Sequence, residues 1–273
     1  MQPKMPAFST CIRPDGMKLL ALGHSNCRLS ASMLCPIFDA MGYKDFKLGV
    51  IYRGDSDFGV HAQLINEGAA GIAYHRSTIE KFYDPADFEN LVTHQSVLED
   101  QPWDTVVLYQ GGGSFNEHEQ FGKPLSDILD LIEKNCPNAK VFYGMHWPYP
   151  VDNQTAAPFK KYGCDADAMY QAGVNAAKKY ILPNKRFAGI IPAAALMQSL
   201  RTKYGEVFHV TDRVHINSTG CFVVGLLWYA VLTGLPLGDI DLPEDVDAAI
   251  VADAKAIIPQ LLEDPFTIID LNK

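Results

Sequence analysis

The sequence predicts a three-layer α/β fold, a parallel sheet of about five strands with helices packed on both faces. Three observations carry that expectation. Short apolar runs alternate with amphipathic stretches, polar residues or glycines follow most of the runs, and no repeat or low-complexity tract breaks the alternation. The 273 residues, 48% hydrophobic and 20% charged, can bury a substantial core. They read as one domain over 17–273, preceded by a loose extension over 1–16.

Each element follows from its own pattern. The first apolar run is Lys18 to Gly23, with a helical stretch around Ser30 to Met41 behind it. The second is Phe46 to Tyr52, ending at Gly54. From Gly71 to Gln101 the Tyr, Thr and Phe content suggests a small strand insertion. A third strand over Thr105 to Tyr109 leads through Gln-Gly-Gly-Gly to a helix from about Pro124 to Asn135. The fourth, Ala139 to Tyr143, ends in Met145-His146-Trp147, and a loop then reaches a helix near Ala166 to Tyr180. The fifth is Phe187 to Ile191, followed by a helix to about Tyr204. Asn217 or Ser218 caps an apolar helix that ends near Thr233-Gly234. Glu244 to Leu262 has the spacing of a last surface helix.

Composition removes several classes of function. Net charge is −9 with no basic block, so nothing attracts a phosphate backbone and nucleic acid is not an expected partner. The longest apolar stretch, Cys221 to Leu235, is interrupted by Gly225 and Gly234 and reads as a buried helix, not a membrane span. The first residues hold no apolar core of a secretory signal, which predicts a cytoplasmic protein as the chain stands, or a secreted one if a signal was removed. The six cysteines show no C-x-x-C pair and read as free thiols, several of them buried. Gly111-Gly112-Gly113-Ser114 lacks the Lys-Ser/Thr of a phosphate loop and the spacing of a dinucleotide fingerprint, so it reads as a pocket loop. No cofactor is expected.

Ligands in open parallel sheets bind outside the carboxyl ends of the strands. The residues following the strands are Gly23-His24-Ser25-Asn26, Arg53-Gly54-Asp55, Gln110-Gly111-Gly112 and His146-Trp147. Asp212-Arg213-Val214-His215 precedes the last apolar helix. A Ser, a His and an Asp at one sheet edge are the parts for acyl transfer.

This order resembles the SGNH hydrolase superfamily, a flavodoxin-like fold in which a Ser, a Gly, an Asn and a His stand in successive blocks. Gly23-His24-Ser25 matches the nucleophile block, Gly54 the second-block glycine, and Asp212-Arg-Val-His215 the Asp-x-x-His motif. The chain is more similar still to a poorly characterised bacterial branch of that superfamily, a domain of unknown function. That resemblance rests on Gly54 to His61, Pro102-Trp103-Asp104 leading to Leu108-Tyr109-Gln110, Trp147-Pro-Tyr149 and Trp228-Tyr229, and it spans about residues 17–235. Two positions depart from the pattern. His24 stands where an acidic residue or Asn is usual, and the third-block Asn has Gln110 as its nearest equivalent, with Asn116 a few residues later.

The resemblance implies a serine hydrolase acting on small-molecule or carbohydrate esters, with deacetylation of an acetylated carbohydrate as the specific expectation. Ser25 would be the nucleophile, His215 the general base and Asp212 its orienting carboxylate. The N–H groups of Ser25 and Gly54, with an amide from Gln110 or Asn116, would form the oxyanion hole. His24, His61, His146 and Trp147 would line the substrate pocket, although His61 also fits a solvated helix start and Trp147 a core position. Ser56, in Gly54-Asp55-Ser56, follows the second strand and is expected to have no histidine partner. No metal site is assigned, because the histidines lack helical ligand spacing. A non-catalytic carbohydrate- or ligand-binding protein on the same scaffold, or a metal-dependent hydrolase built on the histidines, are the rival readings.

Overall fold

The run Met-Lys-Leu-Leu-Ala-Leu-Gly offers side chains to both faces of a sheet, and it forms strand β1, Met17–Gly23, which is almost wholly buried. The structure, a computed structural model, describes residues 16–81 and 89–273. Apart from Gly16, the extension expected over 1–16 lies outside the described residues.

Strand β2, Phe46–Tyr52, pairs with β1 in parallel from Met17↔Phe46 to Gly23↔Tyr52. Strand β3, Ala73–Thr78, is the expected small insertion, and it runs antiparallel along the outer edge of β2. Its alternating burial is that of an edge strand with one wet face. Strands β4 (Thr105–Tyr109), β5 (Lys140–Gly144) and β6 (Phe187–Ile191) continue the parallel sheet on the other side of β1. The order is β3-β2-β1-β4-β5-β6, so five parallel strands carry one antiparallel edge.

The direction of winding reverses between β1 and β4. Right-handed crossovers therefore put the helices of the two halves on opposite faces, and a crevice opens at the carboxyl ends of those two strands. Where a single helix over Ser30 to Met41 is expected, two short ones form, α1 (Ser25–Ala31) and α2 (Leu34–Ala40). Helix α3 (Phe58–Glu67) packs on α4 (His94–Asp100) and α5 (Lys123–Asn135). After β5 come α6 (Ala157–Lys160) and α7 (Ala166–Ala176), the latter prolonged by a π turn over Ala177–Ile181. On the other face α9 (Ser218–Thr233) is enclosed by α1, α2, α8 (Ala193–Tyr204) and α10 (Ala248–Glu263).

Every residue of α9 from Thr219 to Thr233 is buried, which is why its sequence is apolar all round. Asn217 caps it by accepting from the Gly220 N–H at 3.0 Å, and Gly234 ends it at φ 67°. Among the described residues no helix is long and apolar enough to cross a membrane. The five described cysteines are free, and Cys27, Cys35, Cys136 and Cys221 are buried.

One close approach holds β4, β5 and α9 together. Tyr109 stands beside Gly144 in the sheet, and a Cβ on Gly144 would fall 1.7 Å from the Tyr109 ring. That ring stacks on Trp228 with centroids 5.7 Å apart, and the indole N–H donates to the Tyr109 hydroxyl at 3.3 Å. Only glycine leaves the ring its place. Gly144→Ala is expected to cost at least the ~1–3 kcal/mol typical of overpacking, read as a lower urea midpoint. An unchanged midpoint would refute this account of the packing.

Candidate active site

Residue 24 is where β1 becomes α1. His24 caps the helix with its ring, Nδ1 accepting from the Asn26 N–H at 3.3 Å. Nε2 then carries the proton and donates to the Gln110 carbonyl at 3.3 Å. Burial pushes the imidazole down to about 4, against the raising influence of that carbonyl and of Asp55. His24 is thus a neutral, buried cap where the superfamily pattern has an acidic residue or Asn.

Ser25 opens α1 and is half-buried. Its Oγ makes no hydrogen bond to a described residue. Asn26 behind it is buried, and its Nδ2 reaches His146 Nε2 at 3.1 Å and the Val214 carbonyl at 3.4 Å. The Ser25 segment is thereby tethered to the peptide unit immediately before His215.

Asp212 and His215 come together as the Asp-x-x-His spacing requires. Asp212 Oδ1 accepts from the Val214 and His215 N–H groups at 2.8 and 2.9 Å, and Oδ2 from His215 Nδ1 at 2.6 Å. Burial works against the charge on Asp212, but these hydrogen bonds outweigh it and hold the carboxyl down to about 2. The carboxylate fixes the tautomer with hydrogen on Nδ1, which leaves Nε2 as an acceptor. The tight turn demands a left-handed residue, and Arg213 supplies it at φ 55°. His215 and Asp212 are partly open to solvent. No hydrogen bond joins Ser25 to His215.

The remaining expected residues are distributed unevenly. Gly54 sits exposed in the turn after β2, next to Asp55 at φ 49°. Gln110 is fully buried, and its Oε1 accepts from the N–H groups of Phe58 and Gly111 at 2.8 and 3.2 Å. Those bonds make Nε2 the donor, and it has no partner among the described residues. Asn116 is exposed beyond the glycine run. His146 and Trp147 are buried and stacked on each other, with centroids 4.9 Å apart, so Trp147 is a core residue.

Two expectations need correction. Ser56 does have a histidine partner: its Oγ lies 2.9 Å from His61 Nε2 and donates to the Arg53 carbonyl at 2.9 Å. His61 neither lines an open pocket nor starts a solvated helix, because it is fully buried and its Nδ1 meets His94 Nε2 at 2.9 Å. The physical reason is helical spacing. Phe58, His61 and Ala62 form the stripe of α3 that faces the core, and the first turn brings His61 back beneath the Gly54 turn. Ser56–His61–His94 is a buried polar chain that ends at His94 Nδ1, which has no partner among the described residues. Sequence reasoning also missed Asn26 and His94; the signal for Asn26 was its position directly after the nucleophile block.

Among the described residues no three His, Cys, Asp or Glu side chains gather in a way that could hold a metal ion.

With this geometry in hand, the chain can be set beside known proteins. The model of a domain of unknown function, DUF4886, matches residues 18–256. The chain belongs to the DUF4886 family. A solved family member from Bacteroides uniformis superposes with a TM-score of 0.85 at 21% identity, over 94% of this chain and 99% of that one. This family fold is therefore the one seen here. Weaker likenesses include an SGNH hydrolase assigned in Slackia heliotrinireducens (TM-score 0.48, 16% identity, 78% and 97% covered). Another is a Clostridium thermocellum family 3 carbohydrate esterase (TM-score 0.46, 14% identity, 82% and 100% covered). No curated protein matches the chain.

The imidazoles make stability depend on mild acid. His24, His75 and His94 are lowered by burial to about 4, His209 to about 3, and His61 and His146 well below the usual value. A depressed histidine stabilises the fold fully above its unfolded value of 6.5 and loses that contribution as pH falls below it. The urea midpoint is expected to drop steeply between about pH 6.5 and 4. A midpoint flat from pH 7 to 5 would show that these rings are not buried in neutral form.

Proposed function

We propose that the protein is a serine hydrolase acting on esters, with Ser25 as nucleophile, His215 as general base and Asp212 as the group that orients it. The observation that carries the reading is the Asp212–His215 pair. Its Nε2 is free to accept, and the Asn26–Val214 contact tethers it to the Ser25 segment at the sheet's switch point.

His215 Nε2 takes the Ser25 proton as Oγ bonds to the ester carbonyl carbon and the π pair moves to oxygen. The imidazolium then returns the proton to the leaving alcohol as the C–O bond breaks. Water repeats the sequence, releasing the acid and restoring Ser25. The developing oxyanion would be met by the N–H groups of Ser25 and Gly54 and by Gln110 Nε2. The last is a buried donor with no partner among the described residues. These steps use no cofactor. The substrate class we assign is a small-molecule or carbohydrate ester, with acetylated carbohydrate as the specific case; this rests on the SGNH resemblance.

A specific observation favours a second reading, a ligand-binding protein on the same scaffold: Ser25 Oγ is not hydrogen-bonded to His215, and His24 fills the position before it as a buried cap. Catalysis needs the Ser–His contact to form when substrate binds, since such bonds are commonly longer in unliganded enzymes.

Ser25→Ala is expected to lower kcat for an activated acetyl ester by on the order of 10⁶ with unchanged circular dichroism. A fluorophosphonate probe should label Ser25 alone. Near-wild-type turnover in the variant would remove Ser25 from the mechanism, and absence of both turnover and label in the native protein would favour the binding reading. Exhaustive chelation should leave turnover unchanged; loss with EDTA and recovery with a divalent ion would overturn the metal-free steps.

A further inference from the structure

Loop 145–156, after β5, grips the turn that carries the proposed general base. The turn itself is closed at its neck, where His209 bridges Ile216 and the Val210 N–H donates to the His215 carbonyl at 2.9 Å. At its tip the Arg213 N–H donates to the Val210 carbonyl at 3.0 Å, and Arg213 adopts φ 55°. An L residue pays for that conformation, so something must hold it.

Three groups hold it. Asp152 takes the guanidinium bidentately, with Arg213 Nε and Nη2 on Oδ1 at 2.9 and 2.7 Å and Nη2 on Oδ2 at 2.6 Å. The Arg213 Nη1 donates to the Glu206 carbonyl at 3.2 Å. Asn153, buried, donates from Nδ2 to the Arg213 carbonyl at 2.8 Å. The orientation of that amide is not free. Its Oδ1 already accepts from the Thr155 N–H and hydroxyl at 3.3 and 3.2 Å and from the Ala156 N–H at 3.1 Å. Residue 213 is thus fastened by its side chain and its carbonyl, and Asn26 adds the weaker contact to the next carbonyl along.

We propose that Asp152 and Asn153 are positioning residues for His215. They hold Arg213 in the left-handed conformation that lets Asp212 bind the Val214 N–H, the His215 N–H and the His215 ring at once. The proposal rests on the reading of His215 as general base for its catalytic consequence. Its geometric content, the orientation of the His215 ring, does not depend on that reading.

The test separates clamp from backbone. Arg213→Gly accepts a positive φ without strain but has no guanidinium. Asp152→Ala removes the clamp at an exposed site, and Asn153→Ala removes it at a buried one. Each variant is followed by thermal melting, by kcat and KM on an activated acetyl ester, and by the downfield proton resonance of the His215 Nδ1–H. In the folded Asp152→Ala and Asn153→Ala variants kcat is expected to fall roughly 10- to 100-fold, with KM within about twofold. The downfield resonance is expected to broaden or vanish. Asp152→Glu, which keeps the carboxylate, should recover part of both. Arg213→Gly, which needs nothing to hold its φ, should keep more of the resonance; Asp152→Ala that melts as native and keeps it at full intensity would overturn the proposal. If native protein hydrolyses nothing while the clamp variants still lose the resonance, the clamp stands and the hydrolase reading falls.

Discussion

Strand β1 is buried on both faces and flanked by strands running its own way, so the residues that leave its carboxyl end have one exit. That exit coincides with the reversal of winding between β1 and β4, and the polar segment His24 to Asn26 enters the protein there. Everything around it answers a single demand: polar groups crowded at a buried sheet edge need partners without bringing charge into the interior. Neutral imidazole meets that demand well, because one ring can donate from one nitrogen and accept at the other. His24 does this between an amide and a carbonyl, and His61 does it between Ser56 and His94.

The carboxylates of Asp212 and Asp152 and the Arg213 guanidinium are placed where water can still reach them. Asp212 and His215 keep partial exposure, and the Arg213–Asp152 pair lies near the surface. The site is therefore graded, with a neutral hydrogen-bonded floor of His24, His146 and Gln110 beneath an ionised rim. On the proposed reading, Ser25 stands half-buried at that boundary with the partly exposed His215 as its base.

Much of this arrangement was legible in the residues alone, and the missing parts share a cause. The apolar run Thr105–Tyr109 announces a parallel strand because it serves two buried faces, and the strand occurs at those bounds; Phe187–Ile191 also forms at its expected bounds, as an edge strand buried only at its end. The start of α1 was misplaced because its cap is a histidine, which propensity does not mark as one. Asp212 and His215 could be paired because they stand three positions apart. The relation of Ser56 to His61 was missed even at five residues' separation, since which face of α3 turns inward is set by packing. Asn26, Asp152 and Asn153 act across the fold, and no local pattern links the first to residue 214 or the other two to residue 213.

The dispersal of the site along the chain has a kinetic consequence. Its parts come from the ends of β1, β2, β4 and β5 and from the turn before α9, so the contacts that join one part to another span long stretches of chain. Closing loops of that length is entropically uphill until the sheet that rewards it exists. A partly folded chain, or one still emerging from a ribosome without the segment that precedes α9, would hold Ser25 with no base to serve it. On the proposed reading of Ser25 and His215, the nucleophile is made early and armed last.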